Sequence, residues 1–201
     1  MKVSNKFTLI RVLLAPVFLI IYFLPQWFGS ANGSVFNIIS VCILIPLLTV
    51  TELTDYWDGY YARKYNEVSD FGKIFDPFAD VFLHLSVFIC FVIDGYMHPL
   101  IYVFIFYREF GMHFFRMVAA KQGVASAARK GGKFKTVFYV FSVSFSLFIE
   151  SLIRIGFAEY VNVSLLKNIG IVFYLLCLVF AYISFFDYLK KFKDLIKKGS
   201  D

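Results

Sequence analysis

Charge is scarce in this chain: of 201 residues only 17% are Asp, Glu, Lys or Arg, against 60% hydrophobic and 21% aromatic. A soluble domain of this length has no way to hide so much apolar surface, so most of the chain belongs in lipid. Cysteine is rarer still. Cys42, Cys90 and Cys177 each fall inside a different apolar run, a spacing that excludes a disulfide framework or a thiolate metal site and reads as buried, inert thiols. Three histidines, His84, His98 and His113, lie too far apart to form a metal set. Long internal repeats and low-complexity tracts are absent, and nothing in the chain asks for a nucleic-acid partner.

What is present is a series of apolar runs, at about 7–28, 35–55, 75–97, 99–120, 134–157 and 164–188, separated by Gly, Pro, Asn and charge clusters. Each run has the roughly 20 residues that a hydrocarbon core requires. The expected fold is all-α: one integral membrane bundle of about six transmembrane helices over residues 1–201, with short interfacial segments at both ends and no separate soluble domain. The first run has no small-residue cleavage site before the polar loop at 29–34 and reads as a retained helix.

Basic residues are distributed unevenly. Lys2, Lys6 and Arg11 mark the start, Arg63, Lys64 and Lys73 the second connection, Lys121 to Lys135 the fourth, and Lys190 to Lys198 the end, whereas the other connections hold one, Arg154. This positive-inside asymmetry places both termini and those two connections in the cytoplasm of a multi-pass cell-membrane protein. The net charge of +6 is then a one-sided field that holds anionic lipid and attracts anionic solutes. The tail Tyr188 to Lys198, with Phe192, Leu195 and Ile196 at helical spacing, suits an interfacial helix.

Aspartates mark one place in the chain. Asp55, Asp58, Gly59 and Ala62 fall at about 0°, 300°, 40° and 340° around a helix, one narrow stripe of two carboxylates and two minimal side chains. Gly72, Asp76 and Asp80 follow at i, i+4 and i+8 in the next helix, and the short turn between the helices can bring both stripes together. Four converging carboxylates near a bilayer need cations, and hard oxygen donors suit Mg²⁺ or Mn²⁺. Gly59, Ala62 and Gly72 leave room for a large ligand, while Arg63 offers a cation suited to phosphate. Helix capping is the plainer explanation, and Asp76 before Pro77 makes a fair N-cap, but capping does not account for both stripes.

The pattern Asp55-x2-Asp58-Gly59-x2-Ala62-Arg63-x8-Gly72-x3-Asp76-x3-Asp80 resembles the signature of the CDP-alcohol phosphotransferases at all eight fixed positions. The resemblance implies a six-helix fold with a polar cleft open to the cytoplasm, a CDP-linked lipid donor and a homodimer. It also implies a pair of divalent ions, Mg²⁺ or Mn²⁺. Carried over residue by residue, it makes Asp55, Asp58 and Asp76 metal ligands and Asp80 the general base, also touching metal. Gly59, Ala62, Arg63 and Gly72 would line the donor site. A carboxylate within hydrogen-bond reach can take the proton that an acceptor hydroxyl loses as it attacks phosphorus, and cations can stabilise the departing CMP. In-line displacement is the preferred course; a nucleophilic aspartate stays open.

A second cluster concerns the acceptor. Arg108 falls near the middle of the fourth run, where a charge must face a cleft or a partner. Arg116 lies about 80° away on the same helix, and Lys133 and Lys135 open the next one, together a pocket for an anionic, phosphorylated acceptor. Glu109 is expected to pair with His113 or Arg116 along its own helix.

The stretch Arg108-Glu109-Phe110, Arg116, Ala119-Ala120, Gly123, Gly132-Lys133-x-Lys135-Thr136 is similar to the phosphatidylglycerophosphate synthase branch of that family, as is the opening Asn5-x2-Thr8-x2-Arg11 leading into Pro16. This similarity implies CDP-diacylglycerol as donor and glycerol 3-phosphate as acceptor, among membrane lipids. Thr8, with Asn5 and Arg11, either reaches the donor headgroup or merely caps and anchors the first helix. Glu52 stands where a small residue is expected and Tyr139 where a glutamine is expected. His84, one turn past Asp80, either orients that carboxylate or simply packs. The alternatives are the same chemistry on inositol phosphate, serine, choline or phosphatidylglycerol, and a divalent-cation transporter. A transporter would be expected to carry a matching acidic set in its second half, and this chain has none.

Overall fold

The computed structural model describes residues 3–64, 70–121 and 130–199; the side chains of residues 3–5, 55, 56, 58–63, 70, 71, 73, 130–133, 191 and 193–199 lie outside that description. Six long helices appear in chain order: α1 (Val3–Trp27), α2 (Val35–Lys64), α3 (Asp70–Ile93), α4 (Pro99–Lys121), α5 (Lys130–Arg154) and α6 (Val163–Gly199). A single 3-10 turn, Ala158–Tyr160, precedes α6, and no strand occurs among the described residues. By length and composition five helices suit a membrane crossing, over Lys6–Trp27, Val35–Thr54, Ile74–Ile93, Phe134–Arg154 and Val163–Lys190. At 23 residues α4 is long enough as well, but Arg108, Glu109 and Arg116 interrupt its apolar run. The chain is therefore a multi-pass membrane bundle in which one helix carries charge through the middle.

Local chemistry explains where the helices stop at one end of the bundle. α1, α3 and α5 each finish in a glycine with positive φ, Gly29 (63°), Gly95 (75°) and Gly156 (89°). At all three the amide of the glycine and that of the next residue turn back onto the last-turn carbonyls: Gly95 N to Val92 O (3.2 Å) and Tyr96 N to Phe91 O (2.8 Å), for example. This is the paired bonding of a Schellman cap, which favours a residue without Cβ. The following helices start on side-chain caps. Ser34 Oγ accepts from Asn37 N, Asn162 Oδ1 from Leu165 N, and His98 Nδ1 from Leu100 N, with Pro99 at the first helical position of α4.

α1 packs on α2 and α3, α5 on α6, and α4 on α3 and α6, while α5 also touches α2 and α3. Tyr22, Phe88, Phe91, Ile105, Ile149 and Tyr174 are fully buried between them. On the outside Phe104, Tyr107, Phe110 and Phe114 of α4 are exposed, as expected of side chains that meet lipid tails.

Polar side chains gather in two layers at opposite ends of this core. In the layer next to the glycine caps, Arg154 donates from Nε to Glu150 (2.7 Å), from Nη1 to Ser40 (3.0 Å) and from Nη2 to the carbonyl of Tyr22 (2.9 Å). Tyr96 donates to the other oxygen of Glu150 (2.6 Å). Tyr22 and Gln26 donate to Asp94, and Lys167 donates to the Asp94 carbonyl. The second layer, about 14 residues and hence roughly 21 Å away along α1, contains Thr8, Glu52, Asp76, Asp80, His84, Glu109 and Lys135.

Four expectations need correction. Asp76 is no N-cap, because α3 begins at Asp70 and runs unbroken through Pro77. The tail is no separate interfacial helix but the continuation of α6 to Gly199. Cys42 is exposed on α2, whereas Cys90 and Cys177 are buried. Arg154, counted as a loop charge, is the last residue of α5 and is neutralised by Glu150, which leaves that face with still less unpaired positive charge.

Candidate active site

The second polar layer is assembled from five helices. From α1, Thr8 is fully buried and donates from Oγ1 to Asp76 Oδ1 at 2.5 Å. Thr8 is thus a contact of the aspartate stripe rather than a cap of its own helix. Its neighbour Arg11, one turn on, is also fully buried and exerts electrostatic attraction on Asp80. Asn5 lies outside the described residues.

α3 carries Gly72, Asp76 and Asp80 at i, i+4 and i+8 on one face, with Gly72 buried and both carboxylates partly exposed. Asp76 and Asp80 lie inside the membrane-crossing part of α3, where carboxylates are costly without neutralising partners. Besides Arg11, Lys135 attracts Asp80 from α5, and Asp80 in turn acts on Arg116 of α4. Asp55, Asp58, Gly59, Ala62 and Arg63 of the signature, and Lys133 of the acceptor cluster, lie outside the described residues in their side chains; the backbone of α2 continues as helix through the first five. Among the described residues no group of three or more His, Cys, Asp or Glu is placed to hold a metal ion. The described carboxylates of the signature, Asp76 and Asp80, offer hard oxygen donors on one helical stripe, the kind of group that suits a divalent cation such as Mg²⁺.

His84 sits one turn beyond Asp80 and is 3% exposed. Its Nδ1 lies 2.8 Å from the carbonyl of Asp80 and 3.2 Å from Asp80 Oδ1, and its Nε2 lies 3.5 Å from Glu52 Oε1 on α2. The residue without an assigned role, Glu52, is therefore the far partner of His84.

Around the acceptor cluster the structure departs from the expected pairing. Glu109 is 2% exposed and does not bond along its own helix to His113 or Arg116 among the contacts seen. It receives Lys135 Nζ (3.0 Å) and Tyr139 OH (2.8 Å) from α5 on Oε1, and Arg108 Nη1 (2.8 Å) on Oε2. Arg108, itself 3% exposed, also donates from Nε to the carbonyl of Ala181 on α6 at 2.9 Å. His113 instead meets the edge of Phe78. One carboxylate thus draws α4 onto α5, and Arg108 carries the link to α6. Tyr139 has a use that glutamine would share, a donor aimed at Glu109, and its ring also packs on His84 and Phe88. Tyr139→Phe removes one of three donors and should cost about 0.5–1.5 kcal/mol of stability, read from thermal unfolding in detergent.

The arrangement offers carboxylates, one of them beside a histidine, and cations from three helices at one end of a membrane bundle. Such a site can bind anionic headgroups and accept a proton. Sequence reasoning missed the Glu52–His84 contact and the Lys135–Glu109–Arg108 bridge, both of which join residues distant in the chain.

Comparison with known proteins agrees with the motif. The family model described as CDP-alcohol phosphatidyltransferase matches residues 1–180. A Treponema pallidum protein named CDP-diacylglycerol--glycerol-3-phosphate 3-phosphatidyltransferase is 38% identical over 98% of this chain and 92% of its own length. A Bacillus subtilis protein of the same name is 35% identical over 71% of this chain and 75% of its own. A Mycobacterium tuberculosis protein, named probable phosphatidylglycerophosphate synthase, is 32% identical over 74% and 66%. With the family model spanning nine tenths of the sequence and the aspartate signature inside the matched span, this chain belongs to the CDP-alcohol phosphatidyltransferase family.

Proposed function

We propose that this protein transfers the phosphatidyl group of CDP-diacylglycerol to glycerol 3-phosphate, releasing CMP and forming phosphatidylglycerophosphate. The observation that carries the reading is the similarity, over nearly the whole chain, to a protein named for that reaction. The site chemistry supports it. Asp55, Asp58, Asp76 and Asp80 supply oxygen donors for a pair of divalent cations, Mg²⁺ or Mn²⁺, whose part is to polarise the diphosphate and offset the charge on departing CMP. Thr8 holds Asp76 in place, and Gly59, Ala62, Arg63 and Gly72 line the nucleotide and diphosphate. Asp80 takes the proton from the primary hydroxyl of glycerol 3-phosphate as that oxygen bonds to the phosphatidyl phosphorus and the phosphorus–oxygen bond to CMP breaks.

Arg108, Arg116, Lys133 and Lys135 bind the acceptor's phosphate. Lys135 and Arg108 bond to Glu109, and the acceptor phosphate competes with that carboxylate for the same cations. Arg108→Ala should raise the KM for glycerol 3-phosphate by roughly tenfold or more, the loss of a charge-assisted bond of about 1.5–3 kcal/mol. The KM for CDP-diacylglycerol should be unchanged. An unaltered acceptor KM would remove Arg108 from the pocket.

The basic end of the bundle faces the cytoplasm in this reading, where both the phosphorylated acceptor and the nucleotide product are soluble. The direct test is CMP release by the purified protein in detergent, comparing glycerol 3-phosphate with inositol phosphate, serine, choline and phosphatidylglycerol. Release with glycerol 3-phosphate alone is expected. Release with another acceptor would keep the aspartate chemistry and reassign the Arg108 pocket.

A further inference from the structure

Glu52 and His84 are not part of the family signature, yet they meet at the reacting carboxylate. His84 Nδ1 faces two oxygens of the same residue, the Asp80 carbonyl at 2.8 Å and Oδ1 at 3.2 Å. A carbonyl and a carboxylate can only accept, so the hydrogen sits on Nδ1, bonded to the carbonyl with Oδ1 beside it. The opposite ring edge meets Glu52 Oε1 at 3.5 Å, across the boundary between α3 and α2. The ring also meets Phe88 of α3 (6.2 Å between centroids) and Tyr139 of α5 (5.6 Å). The imidazole is thus in contact with α2, α3 and α5 at once, with Nδ1 3.2 Å from Oδ1 of Asp80.

We propose that His84, braced by Glu52, is a positioning residue for phosphatidyl transfer: it fixes the Asp80 carboxylate so that the other oxygen is presented to the acceptor hydroxyl. The inference rests on the reading of Asp80 as the general base and adds what aims it. An aspartate has two rotatable side-chain bonds, and a base must come within about 2.6–3.2 Å of the proton it removes. Misplacement by about 1 Å can cost on the order of a hundredfold in rate. Reacting groups keep a productive geometry when packed side chains around them limit their rotamers.

The competing explanation is that His84 simply fills space between α2, α3 and α5, and two substitutions separate the two. His84→Phe keeps the ring and loses the donor, whereas His84→Asn loses the ring and keeps an N–H near the position of Nδ1. Positioning predicts that His84→Phe lowers kcat about 10- to 100-fold, with both KM values within about twofold of wild type. His84→Asn should recover most of the lost kcat. Glu52→Leu should lower kcat less than His84→Phe does. The double variant Glu52→Leu/His84→Phe, which avoids leaving the carboxylate without its ring partner, should be no slower than His84→Phe alone, the non-additivity expected when one residue acts through another.

A kcat for His84→Phe within about twofold of wild type, or His84→Asn falling as far as His84→Phe, would overturn the proposal. Asp80→Asn, assayed beside them, tells apart the two ways of failing. If it is inactive while His84→Phe is unimpaired, the positioning role falls and the proposed reaction stands. If Asp80→Asn is active, the base assignment falls and the positioning role goes with it.

Discussion

Asp80→Asn is expected to abolish turnover while leaving donor binding largely intact. The amide cannot accept the acceptor's proton, and loss of a general base costs about 10²- to 10⁴-fold. Asparagine has nearly the shape of aspartate and keeps an oxygen that can accept from His84 Nδ1, so the packing of α3 against α1 and α5 should persist. Asp58→Asn is expected to differ. Asp58 is assigned to metal alone, and losing its charge should weaken metal-dependent binding of CDP-diacylglycerol as well as catalysis. Titration of each variant with donor in the presence and absence of Mg²⁺ measures the difference. Equal donor affinity in wild type and both variants would contradict the division of labour between the two aspartates.

Arg154→Met carries the largest expected effect on stability. The guanidinium is 2% exposed and bonds to Glu150, Ser40 and the Tyr22 carbonyl, with its carbon 4.5 Å from the centre of the Tyr22 ring. It therefore ties α5 to α1 and α2 at the end of the bundle away from the aspartates. Methionine fills much of the same volume but leaves Glu150, itself buried, with Tyr96 as its remaining donor in this network. Breaking one side of a buried ion pair costs about 3–5 kcal/mol. Thermal unfolding in detergent should show this as a large fall in Tm, and Glu150→Gln in the same background should restore much of it by removing the stranded charge. A loss below about 1 kcal/mol, the size of an exposed surface pair, would mean that the network does not hold the helices together.

The two experiments address opposite ends of the molecule, and the sequence was not equally informative about them. Apolar runs located all six helices, and the glycines between them marked the turns that Gly29, Gly95 and Gly156 now make as helix caps. The apolar runs stop short of the helices at the site end, where α2 continues to Lys64 and α3 starts at Asp70, as the aspartate stripes required. Helical structure there persists into polar sequence, which hydropathy alone does not register. That extension is why Asp76 is inside a helix and presents its carboxylate to Thr8 rather than to the amides of its own first turn.

The aspartate stripe was legible because helical periodicity is local: residues three or four apart share a face whatever the tertiary fold. Glu109 was misread for the same reason. Spacing offered His113 and Arg116, whereas packing brought Lys135 and Tyr139 from α5, 26 and 30 residues away. Glu52 and Tyr139 each looked like an isolated departure from the family pattern. In the folded chain both are neighbours of His84.

The central claim is that the acceptor hydroxyl displaces CMP from the lipid donor. The most direct measurement supplies labelled glycerol 3-phosphate to protein reconstituted with CDP-diacylglycerol and Mg²⁺, and follows label passing into lipid alongside CMP release. The account predicts that lipid-bound label and CMP appear in equal amounts, that both need the divalent ion, and that both vanish in Asp80→Asn. CMP without label in lipid would mean that water or another acceptor, not glycerol 3-phosphate, takes the phosphatidyl group, and would contradict the account.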